Sequence, residues 1–382
     1  MNIKRLETSR LFHRFGFGPR PGEYAQALKD GVPTTRTRLT TVPATLTTST
    51  PVALPVITDL GKRPKENTPD IVPFALAMRN QTQQIGLWWL DMMALSDHGL
   101  TERMVWFWHG HWATSIQKLN YALPMYKQNQ LFRTHALGNF NSMTKAMLND
   151  GALQFWLDGQ DNTAKAPNEN LGRELMELFV LGVNRYSEDD VKAISRVLTG
   201  YQVEKSSGVV TINQNRRDTN PVTLLGKTGS FTGDSLTDFL VARDDCATFI
   251  SERLWYRFIS STETMPTSFS AKKGFATRDI ATTIQAMAAD PSMSDEKYAM
   301  VKSPVEWFIS ACRALELTPS ALKTTGQLNN HLDKLGQVPF NPPNVGGWPA
   351  GEAWLSSATA QYRLAFAAWL IKQSNLSALQ QI

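Results

Sequence analysis

Apolar residues recur every three or four positions along most of the chain, which is the spacing of an amphipathic helix. The clearest stretch covers residues 74–97. Residues 304–317 follow a capping box that begins at Ser303, with proline at the first helical position. A shorter helix is expected within residues 8–31. Further helices are predicted at residues 101–115, 122–136, 140–149, 169–181, 188–199, 234–244, 245–260, 277–289, 319–335 and 357–374.

Three segments depart from this periodicity. Residues 33–72 are rich in threonine and proline, which predicts an extended excursion over the surface rather than a helix. Residues 201–230 contain alternating apolar positions between turn signals, which predicts one small β-ribbon. Residues 336–357 contain too many prolines and glycines for regular structure, so we expect a fixed, irregular loop. The prediction is an all-α protein with one helical domain over residues 1–382, a small β element and long ordered loops.

Composition and charge narrow the functional classes. The 382 residues carry a net charge of +5 without a basic stripe or a nucleic-acid motif, so a nucleic-acid partner is not expected. Cys246 and Cys312 lack the spacing of a zinc site and are interpreted as core residues. No apolar run reaches the ~20 residues of a membrane span. The first residues contain no apolar signal region, which predicts a cytoplasmic protein. The oligomeric state is not predicted.

Six short stretches occur in a fixed order along the chain. They are RFGFGPRPGE, FWHGHWATS, HALGNF, PNENLGRELMELFVLGVNRYSEDDVKAISRVLTGY, VKSPVEW and PFNPPNVGGWPAGEAWLSSAT. Together they resemble a bacterial family known as domain of unknown function 1800, over about residues 8 to 368. The resemblance implies an all-α bacterial protein and no established reaction. This chain has Leu171 where relatives usually have tyrosine, and Arg217 with Asp218 where they usually have a His-Asp pair.

His109 and His111 form an H-x-H pair in the helix predicted at residues 101–115. Side chains two positions apart on a helix point about 200° apart, so the pair can hold one divalent metal ion only if the helix ends near Gly110. The alternative is one histidine hydrogen-bonded in the core and the other nearer to solvent. A neutral imidazole, whose ordinary pKa is near 6.5, can also act as a general base.

The helix that begins at Asn168 carries a second group of polar residues. On a helical wheel Glu169, Arg173 and Glu177 form a ladder, while Glu174 stands at the border of the apolar face. A carboxylate at such a border loses part of its hydration, which raises its pKa and suits it to acid/base chemistry. The alternative for Glu174 is a structural ion pair. The amides at the helix start can hold an anion or a polar ligand, although ordinary capping by Asn168 explains the same residue.

The Pro/Gly-rich loop contains residues that are typical of binding sites. Asn344 can offer hydrogen bonds, and Trp348 and Trp354 can wall a pocket, since long ordered loops on a rigid scaffold often carry binding groups. The alternative is a plug that covers helix ends. The chain has eleven tryptophans, a high number, which fits core anchors for most of them and contacts to a flat or sugar-like ligand for some.

These groups lead to two hypotheses of function. The first is an enzyme that hydrolyses a polar substrate, with a saccharide as one candidate and a divalent metal as a possible participant. His109 or His111 would be the base or metal ligand, Glu174 the acid/base, and Arg173 and Asn170 would orient the substrate or stabilise developing charge. The second is a non-catalytic binding or accessory protein with an aromatic-rimmed cleft for a glycan, peptide or partner protein. The predicted substrate-binding residues are Asn168, Glu169, Asn170, Asn344, Trp348 and Trp354.

Overall fold

The computed structural model describes residues 2–41 and 52–374, and its architecture is all-α, as predicted. A π-helical turn, Leu175–Val180, continues the helix Asn170–Glu174 without a break. No helix in this part of the chain has the length and apolar character needed to cross a membrane. Its α-helices are α1 (Ile3–Arg14), α2 (Glu23–Asp30), α3 (Val32–Thr40), α4 (Ile71–Leu95), α5 (Gly99–His111), α6 (Ile116–Leu119), α7 (Ala122–His135), α8 (Phe140–Leu148), α9 (Gly151–Trp156), α10 (Asn170–Glu174), α11 (Glu188–Val197), α12 (Gly233–Ala242), α13 (Asp244–Phe258), α14 (Ser270–Gly274), α15 (Ile280–Ala288), α16 (Pro304–Ala314), α17 (Thr325–Lys334) and α18 (Ser357–Gln373).

The β structure predicted within residues 201–230 is present as two separate antiparallel hairpins. The second hairpin turns at Leu225 and Gly226, whose φ angles of 48° and 81° are the positive values that a two-residue hairpin turn needs. A short helical turn, Gln214–Arg216, lies between the hairpins, so the segment does not form one ribbon. The paired strands are β1 (Tyr201–Glu204) with β2 (Val209–Ile212), and β3 (Val222–Leu224) with β4 (Lys227–Gly229).

The core is filled by large aromatic side chains from the central helices. Trp89 of α4 and Trp108 of α5 are fully buried, as is Trp112 directly after α5. Two glycines allow α1 to approach α5 closely, because a Cβ on Gly99 would lie 3.3 Å from the Cα of Gly16. This contact places the last turn of α1, which carries several basic side chains, beside the first turns of α5.

A helix replaces part of the extended excursion that the sequence predicts at residues 33–72. Residues Val32–Thr40 form α3, because Pro33 occupies the first turn, where its missing N–H costs no helical hydrogen bond. Threonine hydroxyls bond back to carbonyls one turn earlier, at 2.9 Å for Thr40. The prediction of an extended chain is therefore wrong here. The part of the prediction that falls on residues 42–51 lies outside the described residues.

The loop over residues 336–357 is irregular apart from one short helical turn, Gly351–Trp354. Phe340 has a φ of 63°, a left-handed value that is rare for a bulky residue. Its N–H donates to His109 Nε2 at 3.2 Å, and its carbonyl accepts the N–H of Ile116 at 2.9 Å. Both main-chain groups of this strained residue are thus satisfied, which holds the loop against the end of α5.

Candidate functional site

His109 and His111 lie in a helix that does not end at Gly110, because α5 continues through His111. His109 Nε2 accepts the N–H of Phe340, whereas His111 Nε2 donates to the carbonyl of Phe179 at 2.9 Å. Both imidazoles are buried, and burial lowers the pKa of each to about 3. Each histidine is therefore neutral at pH 7 and joins α5 to a different segment, so the two are not placed to share one metal ion.

The π-helical turn changes the ladder predicted for the next polar group. Arg173 pairs with Glu169 at 3.0 Å, and two of its guanidinium nitrogens donate to the Glu188 carboxylate at 2.7 and 2.8 Å. Glu177 instead accepts the hydroxyl of Tyr186. Glu174 is half-buried, and burial, with the charge of Glu177 as a second cause, raises the pKa of its carboxyl. Within the described residues no hydrogen bond or ion pair holds the Glu174 carboxylate.

The asparagines at this helix start serve local capping. Asn168 Oδ1 accepts the N–H of Asn170 at 2.9 Å, and the N–H of Asn168 donates to Asn162 Oδ1 at 2.9 Å. Asn170 Nδ2 donates weakly to Asp158, at 3.4 Å. These bonds fasten the preceding loop to α10 and occupy most of the groups that were expected to meet a ligand.

The loop residues expected to form an aromatic-rimmed cleft lie mostly inside the protein. Trp348 and Trp354 are 4% and 5% exposed, and Trp348 stacks on Trp106 with ring centroids 5.2 Å apart. Asn344 is exposed, and its side-chain oxygen accepts the N–H of Gly346 at 2.9 Å. Neither indole forms the open rim of a groove.

The predicted site residues therefore have different surroundings. His109 and Trp348 are neighbours, with ring centroids 5.4 Å apart, and His111 contacts the π-helical turn. No hydrogen bond or ion pair among the described residues joins Glu174 to either imidazole. Across residues 2–41 and 52–374, no group of three or more His, Cys, Asp or Glu side chains is arranged to hold a metal ion. The hydrogen bonds of the two imidazoles instead go to the main chain at Phe340 and Phe179.

A cavity of about 310 Å³ lies instead between α1, the start of α16 and the segment that precedes α16. We call it the cationic cavity. Four cations and two carboxylates line it, which gives the lining a net charge of +2. The cations are Arg10, Arg14, Arg103 and Lys302, and the carboxylates are Glu296 and Glu306.

Four of the six sequence stretches described above meet at the cationic cavity and at a smaller hollow behind it. RFGFGPRPGE contributes Arg14, and VKSPVEW contributes Lys302 and Glu306 to the cationic cavity. FWHGHWATS contributes Gly110 and the Pro/Gly-rich loop contributes Trp348 to the smaller hollow. Most of the stretches that carry the family resemblance therefore converge here.

Two arginines of α1 are fixed by main-chain carbonyls. Arg10 donates to the carbonyls of Met293, Asp295 and Tyr298 at 2.9, 2.7 and 2.9 Å. Arg14 also donates to the carbonyl of Tyr298. Carbonyls orient a guanidinium but do not neutralise its charge. The Asp295 and Glu296 carboxylates partly offset the charge of Arg10, whereas the charge of Arg10 itself acts on Arg14.

One ion pair separates the cationic cavity from the hollow behind it. Arg103 pairs with Glu306, and these side chains are 6% and 20% exposed. Glu306 also accepts the N–H of Ser303 at 3.1 Å, as the predicted capping box requires. Lys302 donates to the Ser310 hydroxyl at 3.2 Å, a neutral partner that does not itself compensate the charge.

The pKa values in this region reflect the crowding of positive charge. Burial, aided by the charge of Arg10, lowers the pKa of Arg14 to about 9. Burial and then the charge of Lys302 lower the pKa of His13 to about 4, so this imidazole is neutral at pH 7. Burial also lowers the pKa of Lys302, although the Glu306 carboxylate opposes the effect. An anion in the cavity would relieve each of these shifts.

Sequence reasoning missed these residues, although one local signal was present. Arg10, His13 and Arg14 are spaced three and four positions apart, which puts three basic groups on one helix face. Glu306 was interpreted only as a helix cap. No pattern in the sequence relates the end of α1 to Lys302, almost three hundred positions later, so their meeting becomes visible only in the fold.

Comparison with known proteins gives one match. The family described as "Protein of unknown function (DUF1800)" matches residues 10–381, which is essentially the whole chain. Comparisons with curated proteins and with solved structures find no match.

Proposed function

This chain belongs to the DUF1800 family, and we propose that it binds a small organic anion in the cationic cavity. The observation that carries the proposal is the surplus of positive charge around a hollow of about 310 Å³. Arg103 pairs with Glu306, and the negative charges of Asp295 and Glu296 act on Arg10, whereas Arg14 and Lys302 donate hydrogen bonds to neutral groups. Buried cations are costly unless an anion compensates them, so a bound anion would stabilise this arrangement.

The wall of the cavity also indicates the form of the ligand. Leu6, Ala299, Met300 and Val301 supply apolar surface next to the cations. A volume near 300 Å³ is at the lower end for pockets that take small organic molecules. The matching ligand has one anionic head, a carboxylate or a phosphate ester, on a short apolar body. The carbonyl-bonded arginines would meet the head without reorganising, which favours affinity.

This proposal develops the non-catalytic hypothesis and changes its location and ligand. Neither His109 nor His111 lines the cationic cavity, and neither does Glu174. An acid/base role for Glu174 would be exercised elsewhere, beside Glu177 and Tyr186. Hydrolysis and anion binding can therefore be tested separately.

The test is isothermal titration with four probes of equal chain length: hexanoate, hexyl phosphate, hexanol and hexylammonium. We expect one or both anions to bind, and the alcohol and the amine not to bind. A preference between hexanoate and hexyl phosphate identifies the head group. Equal binding of hexanol and hexanoate would show that the apolar wall alone recognises the ligand, which would refute the proposal.

Two lysine variants provide the matched comparison. Lys302→Gln removes a cation from the cavity wall and should weaken anion binding about tenfold or more, since a hydrogen bond to a charged group typically contributes that much. Lys297→Gln removes an exposed lysine five positions away that pairs with Asp295 at 3.6 Å and does not line the cavity. We expect Lys297→Gln to bind like the parent chain. Equal weakening in both variants would indicate general charge attraction.

A further inference from the structure

A small enclosed hollow of about 30 Å³ lies behind the ion pair of Arg103 and Glu306. We call it the inner chamber. It has room for about one or two molecules the size of water. Aromatic rings form much of its wall, including Trp106, Phe107 and Trp348. The chamber reaches the end of α5 at Gly110, where the Pro/Gly-rich loop is so close that a Cβ on Gly347 would lie 2.3 Å from the Gly110 carbonyl oxygen.

Two buried polar atoms belong to residues in the chamber wall and lack a partner in the described part of the chain. They are Trp348 Nε1 and Ser303 Oγ. Trp348 is 4% exposed and Ser303 is 5% exposed, so solvent does not satisfy them. An indole N–H can only donate, and a serine hydroxyl can donate as well. The complementary occupant is therefore an acceptor of hydrogen bonds.

The charge of the wall indicates which acceptor fits. Two guanidiniums, Arg103 and Arg257, face one carboxylate, Glu306, so the wall has a net charge of +1. Arg257 donates to the carbonyls of Trp348 and Pro349, at 2.5 and 3.1 Å, and these carbonyls leave its charge uncompensated.

The surroundings of Arg257 do not supply the missing negative charge. Arg253, one turn earlier on α13, adds a second positive charge, and burial followed by this charge lowers the pKa of Arg257 to about 10. The nearby Glu306 carboxylate raises the same pKa, but it is already paired with Arg103. A water molecule could accept the indole N–H, but it would not balance the charge.

We propose that the inner chamber binds a small inorganic monoanion, held by the indole N–H of Trp348 and the guanidiniums of Arg103 and Arg257. Chloride is the probe that matches the size and the charge. The site is separate from the proposed organic-anion site, because the Arg103–Glu306 pair stands between them and the ligands differ in size. Loss of one site therefore does not require loss of the other.

The test is the thermal unfolding midpoint in sodium chloride compared with sodium gluconate at equal ionic strength. Gluconate is too large for the chamber, so a rise in the midpoint with chloride alone reports the site. We expect the rise in the unfolding midpoint to reach half of its maximum at a defined chloride concentration. Trp348→Phe should increase that concentration about tenfold or more. Trp354→Phe is the matched control, because this indole is equally buried and also lacks a partner in the described chain, but it does not line the chamber.

Three results overturn the proposal: equal midpoints in chloride and gluconate, unchanged chloride dependence in Trp348→Phe, or equal loss in both tryptophan variants. If Trp348→Phe fails to fold, crystals of the parent chain grown with sodium bromide decide the question. An anomalous bromide peak beside Trp348 Nε1 supports the site, and its absence refutes it. Retention of hexanoate binding without a chloride effect would leave the organic-anion site intact and remove only this one.

Discussion

Acidification from pH 7 to pH 4 is expected to remove several kcal/mol of folding free energy through His109 and His111. Burial lowers the pKa of each imidazole from 6.5 to about 3. As the pH falls below about 6.5, the unfolded chain takes up a proton on each histidine, whereas the folded chain stays neutral until about pH 3. The contribution of the two neutral imidazoles to the folding free energy is therefore complete above pH 6.5 and is lost progressively towards pH 3.

The size of the loss follows from these values. Between pH 6 and pH 4 each imidazole changes the unfolding free energy by about 1.36 kcal/mol per pH unit, or about 3 kcal/mol each from pH 7 to pH 4. Asp150 acts in the opposite sense, because burial raises its pKa to about 6 and the folded chain is protonated first. Asp150 thereby restores about 2 kcal/mol, so the three groups together give a loss of about 4 kcal/mol, a large part of the 5–15 kcal/mol that stabilises a typical domain.

The variant His111→Gln isolates one of the two contributions. Its amide can still donate to the Phe179 carbonyl, but it does not titrate. Urea unfolding followed by circular dichroism from pH 4.5 to pH 7 should give a dependence on pH that is shallower by about 1.3 kcal/mol per unit. His331→Gln is the control, because its partly exposed imidazole should change the dependence less. Parallel curves for His111→Gln and the parent chain would refute the reasoning, since His111 would then have the same pKa in the folded and the unfolded chain.

Two further predictions concern a glycine contact and a carboxylate. Gly347→Ala should lower the unfolding free energy by about 2 kcal/mol or more, because its φ is +79° and the new Cβ would meet the Gly110 carbonyl oxygen at 2.3 Å. Gly86→Ala on α4, with no atom within 4 Å of the new Cβ, should instead raise it by about 0.5–1 kcal/mol. Equal effects of Gly347→Ala and Gly86→Ala on the free energy of unfolding in urea would contradict the packing argument. Glu174→Gln should raise stability at pH 7 by less than about 1 kcal/mol after solvent screening, because it removes a partly desolvated carboxylate. It should also abolish any hydrolysis that uses Glu174 as acid/base. Unchanged turnover would exclude that role.

Local sequence patterns predicted most of the helices, because helix periodicity and capping depend on neighbours within a few residues. The capping box expected at Ser187 is present, and at Ser303 the Glu306 carboxylate caps the Ser303 N–H as expected. The same local reasoning failed at α3, where Pro33 and the threonines adopt a helix that composition alone disfavours. It also missed the π-helical turn after Glu174, because a single turn is too short for a shift in the phase of the apolar pattern to be recognised.

The candidate site was harder to predict because it depends on contacts between distant segments. The spacing of His109 and His111 left open whether the helix ends near Gly110, and it did not reveal which backbone groups the two histidines would bind. Arg103 looked like an ordinary helical residue, and its partner Glu306 follows two hundred positions later. Only the fold, which brings α5 beside the start of α16, makes these two charges neighbours.

The π-helical turn after α10 makes this segment sensitive to length. Such a turn contains one residue more than a regular α-helix would use. A single-codon deletion within Leu175–Val180 would let the helix close regularly and would rotate everything before it by about 100°. Arg173 would then leave Glu188, while the apolar residues after the deletion would stay in place. In this segment a change of length would redirect the polar surface, with no substitution of any polar side chain.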